Sequence, residues 1–161
     1  MAGKNRVLEA RLWFLIALGA MIASPFFPAW VWGGKVVMGS LQWKHAYEAV
    51  AAVATGHWFK EAIAAMVPIV MAGTALAAML LVPALGQTRI LLWPLRIMWT
   101  GYGGWAIWMM LRVAWASRDR KIFTGAVPIS MEASMWLMIL AMACIIIGLW
   151  RIPNGRQASV T

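Results

Sequence analysis

The sequence from Ile90 to Trp115, ILLWPLRIMWTGYGGWAIWMMLRVAW, decides the fold class of this protein. It is long and apolar enough to cross a bilayer, because a membrane-spanning helix needs about 20 mostly apolar residues. It also contains Pro94, three glycines, five tryptophans, and the arginines Arg96 and Arg112. A segment that only contacted lipid would need none of these residues. We therefore predict that it is the central helix of a small polytopic membrane protein.

The composition of the whole chain favours the same class. Of its 161 residues, 63% are hydrophobic and only 12% are charged, and the mean hydropathy is +0.77. A soluble domain has about 25% charged residues. The net charge of +9 comes from Lys and Arg residues between apolar segments, where they mark the ends of spans and meet anionic lipid head groups. We expect membrane lipids as partners and no nucleic acid.

Four apolar segments predict an all-α fold with four transmembrane helices in a single membrane domain, 1–161. The predicted spans are residues 12–32, 61–81, 90–111 and 133–150. A short amphipathic helix at 41–54, which Thr55 and Gly56 end, is expected to lie in the membrane interface.

Prolines predict where these helices end or bend. Pro25 and Pro28 predict a helix end or a kink late in the first span, and Pro68 predicts a kink in the second span. Pro83, with Gly86 and Gln87, predicts a tight turn between the second and third spans. From Arg112 to Ser130 we expect a polar loop.

The orientation rests on the distribution of basic residues, although the 14 Lys and Arg residues divide evenly between the two sides. Lys4, Arg6 and Arg11 precede the first span, which usually dominates, and therefore favour a cytoplasmic N-terminus. An even number of spans then places the C-terminus on the same side. We expect the bacterial inner membrane.

Arg96 is the most informative single residue, because charged side chains within spans are rare and face a partner or a watery cavity. One alternative is contact with an anion or a lipid head group, and a second is an ion pair with a carboxylate on another helix. A third is snorkelling, in which a helix that begins at Pro94 leaves Arg96 among the head groups.

Trp105, Trp108, Arg112 and Trp115 follow spacings of three and four and therefore share one helix face. Arg112 can stack on Trp108 or Trp115 as a cation–π contact. Tryptophans near the end of a span are typical interface anchors, whereas those nearer its middle can line a cavity. Ligand or lipid contacts are predicted at Arg96, Trp99, Trp105, Trp108 and Arg112.

Small residues predict where helices pack closely. Gly73 and Ala77, with Thr74 and Ala78, form small-xxx-small pairs in the second span, and Thr100, Gly101 and Gly104 form a small-residue face in the third.

Chemistry-bearing residues are few. His45 and His57 are the only histidines and are twelve residues apart, about 18 Å along a helix, so one metal ion cannot bind both. Cys144, the single cysteine, is expected to pack as a small apolar residue. We predict no metal site, no catalytic residues and no enzyme activity. No cofactor is predicted, and contact with a pigment, quinone or haem is expected only together with partner chains.

The order of the segments resembles the four-span membrane unit of paraquat-inducible protein A. The first span ends in an apolar turn with proline, PFFPAW, and a helical stretch with a glycine, AVAAVATGHW, leads to the proline-containing AAMVPIVMAGTAL. The third span, RILLWPLRIMWTGYGGWAIWMM, and the loop KIFTGAVPISM follow. The zinc-binding cysteines of that family are absent, and Gly103, Gly104 and Trp105 stand where it has an acidic residue. The resemblance implies a role in envelope lipid transport beside a partner protein.

Two functions are therefore predicted. The first is a non-catalytic integral membrane subunit that packs against a larger membrane complex, of respiration or photosynthesis for example, and stabilises it or helps its assembly. The alternative is a component of envelope lipid or small-solute transport, with Arg96 and the kinked second and third spans forming the path.

Overall fold

The computed structural model describes residues 2–32, 35–56, 66–118 and 129–153. Most of these residues are helical. Helix α1 (Ala2–Ala23) is followed by a single 3-10 turn (Ser24–Phe26), strand β1 (Pro28–Trp32), strand β2 (Lys35–Met38) and helix α2 (Gly39–Ala54). Helices α3 (Val67–Gln87) and α4 (Arg89–Met98), a π-helical turn (Trp99–Gly103), helix α5 (Gly104–Arg118), strand β3 (Ile129–Met131) and helix α6 (Ala133–Arg151) complete the order.

Within these described ranges, three helical segments are long and apolar enough to cross a membrane, which supports a membrane-compatible, mostly helical fold. They are Asn5–Phe26, Val67–Gln87 and Ala133–Arg151. The third predicted span, 90–111, is instead divided into α4 and α5 by the π-helical turn. Gly101, Gly103 and Gly104 favour a departure from regular α-helix here, because glycine is a poor α-helix former.

Helices α1, α3, α4–α5 and α6 alternate in direction. Glu9 of α1 bonds Arg151 of α6 at 3.4 Å, and Phe14 lies against Gly148, so these two helices are antiparallel. Gly86, near the end of α3, lies against Pro153, just beyond the end of α6, which makes α3 parallel to α6. The core between the helices contains Phe14, Met21, Met71, Leu92, Cys144 and Ile145.

A small three-stranded antiparallel sheet corrects the all-α prediction. Its strand order is β2-β1-β3, with Val31 opposite Val36 on one side and opposite Ser130 on the other. The first span was predicted to continue to residue 32, but α1 ends at Ala23, two residues before Pro25. Trp30, Val31 and Trp32 are aromatic or β-branched and so favour a strand, and β2 and β3 supply the backbone partners that the strand needs.

The helix ends differ from the prediction at three other places. Pro68 lies in the first turn of α3, where proline removes no helical hydrogen bond, so the described helix has no kink there. The turn predicted at Pro83, Gly86 and Gln87 is wrong, because α3 continues through Pro83 and ends where Thr88 bonds the Ala84 carbonyl. Helix α5 runs to Arg118 and so includes the first seven residues of the predicted loop, since the apolar pattern continues past Arg112.

The remaining helices lie close to their predicted positions. Helix α6 exceeds its predicted range, 133–150, by one residue. Helix α2 begins two residues before its predicted start and ends at Thr55 and Gly56, where Gly56 has a positive φ of 82°. This conformation is the usual glycine termination of a helix.

Candidate functional site

Arg96 lies at the centre of the best-defined polar site in the described part of the chain. Its side chain is only 3% exposed. Nε donates to the Leu149 carbonyl oxygen at 2.9 Å, and Nη2 donates to the Ile152 carbonyl oxygen at 2.7 Å. Both carbonyls belong to the last turn of α6 and its C-cap, where no intrahelical donor remains. Arg96 therefore caps the C-terminus of α6 from a neighbouring helix.

Two tryptophans enclose the guanidinium. Its carbon Cζ lies 5.8 Å from the ring centre of Trp93 and 5.2 Å from that of Trp150, within cation–π range. The two rings meet edge to face with their centres 6.0 Å apart. Trp150 Nε1 also donates to Thr100 Oγ1 at 2.9 Å. These contacts hold the cation between α4 and the end of α6.

This geometry corrects the predicted roles of Arg96. The helix begins at Arg89 rather than Pro94, and the side chain is buried, so it does not snorkel to the head groups. Its hydrogen bonds to Leu149 and Ile152 go to backbone carbonyls, which are acceptors that any sequence provides. The negative end of the α6 dipole also lies at the guanidinium.

The π-helical turn brings Trp99 and Gly103 against α6. Trp99 is 3% exposed, so it contacts the core rather than lipid, and its Nε1 has no hydrogen-bond partner among the described residues. A Cβ on Gly103 would lie 3.0 Å from Ile146 and 3.2 Å from Met142. Gly103 is therefore the glycine through which this segment approaches α6.

Most of the residues predicted to pack helices together lie elsewhere. A Cβ on Gly73, Gly101 or Gly104 would meet nothing within 4 Å, and Ala77 is exposed. Helix α3 buries Ala75 in the core, together with Ala78 from the predicted Thr74–Ala78 pair. Thr100 is exposed but bonds Trp150 of α6. Spacing of small residues alone did not distinguish the inner face from the outer one.

The outer face of α5 carries the predicted tryptophan stripe. Trp105, Trp108 and Trp115 are 57%, 51% and 77% exposed. Arg112 lies over Trp108 rather than Trp115, with Cζ 4.8 Å from the ring centre. We call the residues Gly101, Gly104, Trp105, Trp108, Arg112 and Trp115 the outer stripe. In this stripe, Gly101 and Gly104 leave open space beside the backbone, next to the large tryptophan side chains.

A mostly apolar cavity of about 520 Å³ lies between α2, the start of α3, α5 and the start of α6. Its wall includes Trp30, Tyr102, Trp105, Met109, Met135 and Met138. Gln42 and His45 line it from α2. Lining a cavity was one of the alternatives that the sequence left for Trp105, whereas Gln42 was missed. Gln42 is three residues before His45 and therefore lies on the same helix face, and this spacing could have indicated that the two residues act together.

The polar groups of α2 are anchored locally. Gln42 Nε2 donates to Met135 Sδ at 3.2 Å, whereas Oε1 is buried with no partner among the described residues. His45 Nδ1 lies 3.2 Å from Glu48 Oε2. His57 lies outside the described residues. In the part of the chain that the structure describes, no group of three or more His, Cys, Asp or Glu residues could hold a metal ion.

A second polar contact that the sequence did not predict fixes α2 to the end of α1. Trp43 Nε1 donates to Ser24 Oγ at 3.0 Å, and Ser24 Oγ donates to the Met21 carbonyl oxygen at 2.9 Å. A Cβ on Gly39 would collide with the Ser24 carbonyl oxygen and with Ser134 Oγ. The first turn of α2 therefore needs glycine at this position to approach α1 and α6.

The chain matches no protein-family model, no curated protein and no solved structure.

Proposed function

We propose that this protein crosses a membrane four times and acts as a non-catalytic subunit that packs against a larger membrane complex. The three long apolar helices supply three crossings. The helical chain from Arg89 to Arg118 supplies the fourth, because it runs alongside α6 and is about 45 Å long by helical rise. Helix α2, with Lys44, His45 and Glu48 exposed beside Tyr47, lies in the interface.

The outer stripe is the observation that supports a packing role. Gly101 and Gly104 leave open space at the level of the backbone, and close approach of backbones drives helix association in membranes. Trp105, Trp108 and Arg112 flank this space, and tryptophan and arginine are enriched in the residues that dominate binding energy at interfaces. A partner helix of another membrane subunit is the occupant that fits.

The internal role of Arg96 is consistent with this proposal. Because its guanidinium bonds the end of α6 and lies between Trp93 and Trp150, it supports the fold of the subunit. Replacing Arg96 would therefore impair assembly and transport alike, and would not distinguish a packing subunit from a transporter.

Substitution of Gly104 by Leu tests the proposal directly. A Cβ at this position meets nothing within 4 Å, and the leucine side chain fills the gap that a partner helix needs. Gly19→Leu is the matched control, because a Cβ there also meets nothing and the residue lies on α1, away from the outer stripe. In native gels of mild-detergent membrane extracts, we expect G104L to run at the mass of the free subunit and G19L to remain in the complex. An unchanged complex in G104L would contradict the proposal.

A transport role remains the second candidate, because the structure has a groove suited to a lipid. The groove, of about 580 Å³, lies between α1 and α3 and is lined by Leu8, Arg11, Leu12, Leu15, Met79 and Leu80. An acyl chain fits the leucines and a phosphate fits Arg11. The resemblance to paraquat-inducible protein A supports envelope lipid or small-solute transport of this kind. Leu12→Trp, which narrows the groove, should reduce lipid transfer between membranes in a transporter, with Leu76→Trp on the exposed face of α3 as control.

A further inference from the structure

We propose that the cavity between α2 and α5 is a binding site for a membrane-soluble aromatic hydroxyl compound, a phenol or a quinol. This site is separate from the partner contact proposed for the outer stripe, although Trp105 borders both. A site of this kind would bind a small ligand, which neither a packing role nor lipid transport requires.

The size and the wall of the cavity favour an aromatic ligand. Its volume of about 520 Å³ is within the range of about 300–1,000 Å³ that is usual for small-molecule sites. Trp30, Tyr102 and Trp105 offer ring faces and edges, and Met109 and Met135 offer flexible thioethers. Aromatic rings pack favourably against both kinds of side chain.

The polar residues on α2 favour a ligand that donates a hydrogen bond. Gln42 Oε1 is a buried acceptor without a partner among the described residues, because the amide bonds Met135 only through Nε2. A buried acceptor left unsatisfied costs about 1–3 kcal/mol. Gln42 lines the cavity, so a turn of its side chain that brings Oε1 to a ligand hydroxyl group is stabilising. An apolar molecule without a hydroxyl group cannot supply this donor.

His45 adds a second acceptor on the same face of α2. When the neutral imidazole donates from Nδ1 to the Glu48 carboxylate, 3.2 Å away, Nε2 carries the lone pair. Gln42 and His45 are one helical turn apart and both line the cavity. Either acceptor can take the single hydrogen bond that a phenol hydroxyl donates, and the aromatic wall takes the ring and an apolar tail.

Photolabelling of the full chain in detergent micelles tests this assignment. The probe is an alkylphenol with a diazirine on its alkyl chain, and labelled peptides are identified by mass spectrometry. We expect label on the peptides that contain Tyr102–Met110 and Met135–Met138. Excess 4-nonylphenol should displace the label at least about fivefold more effectively than 4-nonylanisole, which lacks the donor, since one hydrogen bond is worth about that factor.

Two variants locate the site. Gln42→Leu removes the acceptor and should reduce specific labelling by about fivefold or more, whereas Gln87→Leu, at the far end of α3, should not. Ala106→Phe fills the cavity and should abolish labelling, whereas Ala77→Phe, on the exposed face of α3, should leave it unchanged. Equal displacement by the phenol and the anisole, or labelling that survives in A106F, would overturn the proposal.

Discussion

The guanidinium of Arg96 donates to the carbonyl oxygen of Ile152 at 2.7 Å, across 56 positions of the sequence. With the bond to Leu149, it supplies donors to carbonyls that a helix C-terminus leaves without partners. It also places a positive charge at the negative end of the α6 dipole, a favourable arrangement that is strengthened by burial. Arg96, a charged residue that its place in an apolar segment would suggest as a ligand contact, therefore joins α4 to α6.

Arg96→Leu should destabilise the protein by about 3 kcal/mol, because two buried carbonyl oxygens lose charged donors. Unfolding in a titration of mild detergent with sodium dodecyl sulfate measures this change. Arg112→Leu, which loses only an exposed stacking contact with Trp108, should change the free energy of unfolding by less than about 1 kcal/mol. Equal effects of the two substitutions would show that Arg96 does not stabilise the end of α6.

Gly148→Ala should destabilise the contact between α1 and α6. The added Cβ would lie 2.8 Å from a ring carbon of Phe14, so the buried ring must move, at a cost of about 1–3 kcal/mol. Gly73→Ala, where a Cβ meets nothing, should be neutral or slightly stabilising. In a protein that already carries Phe14→Leu, Gly148→Ala should cost less stability than in the wild type. A double-mutant cycle measures this coupling. Additive effects would contradict contact between the two residues.

Ser24 and Ser134 are both buried, but their hydroxyl groups differ in hydrogen bonding. Ser24→Ala removes the acceptor of Trp43 Nε1 and the donor to Met21, so it should cost about 1–2 kcal/mol. Ser134→Ala removes a hydroxyl that has no partner among the described residues, so it should be neutral or stabilising. Thermal unfolding of both variants in the same detergent compares them. A greater loss in S134A than in S24A would contradict the observed contacts.

The four proposed crossings predict which positions share a side of the membrane. Because Glu9 bonds Arg151, and Gly86 next to Gln87 lies against Pro153, cysteines at positions 9, 87 and 151 should react with an impermeant maleimide from one side. A cysteine at Ser40, at the other end of the bundle, should react from the opposite side. The background is Cys144→Ala, which removes the buried native thiol. Labelling of positions 9 and 87 from opposite sides would exclude this topology.

The hairpin of β1 and β2 was not predicted, although the sequence contains a local pattern that indicates it. Residues 28–32 and 35–38 are rich in aromatic and β-branched side chains and are separated by two glycines, which is typical of a hairpin. The apolar length of residues 12–32 led to the prediction that the first of these segments is the end of a span. The pairing of β1 with β3 could not be predicted in this way, because β3 lies about a hundred residues further along the chain.

The sequence by itself determined the membrane-compatible composition, the apolar helices and the termination of α2 at Gly56, because these properties depend on residues close together in the chain. Only the tertiary structure decided that Arg96 caps α6, that Gly103 rather than Gly101 or Gly104 meets α6, and that Gln42 joins Trp105 at a cavity. Each of these depends on which helix faces are turned toward each other. Helical periodicity places residues on a face but does not specify the face opposite. In apolar membrane-spanning helices the inner and outer faces have similar compositions.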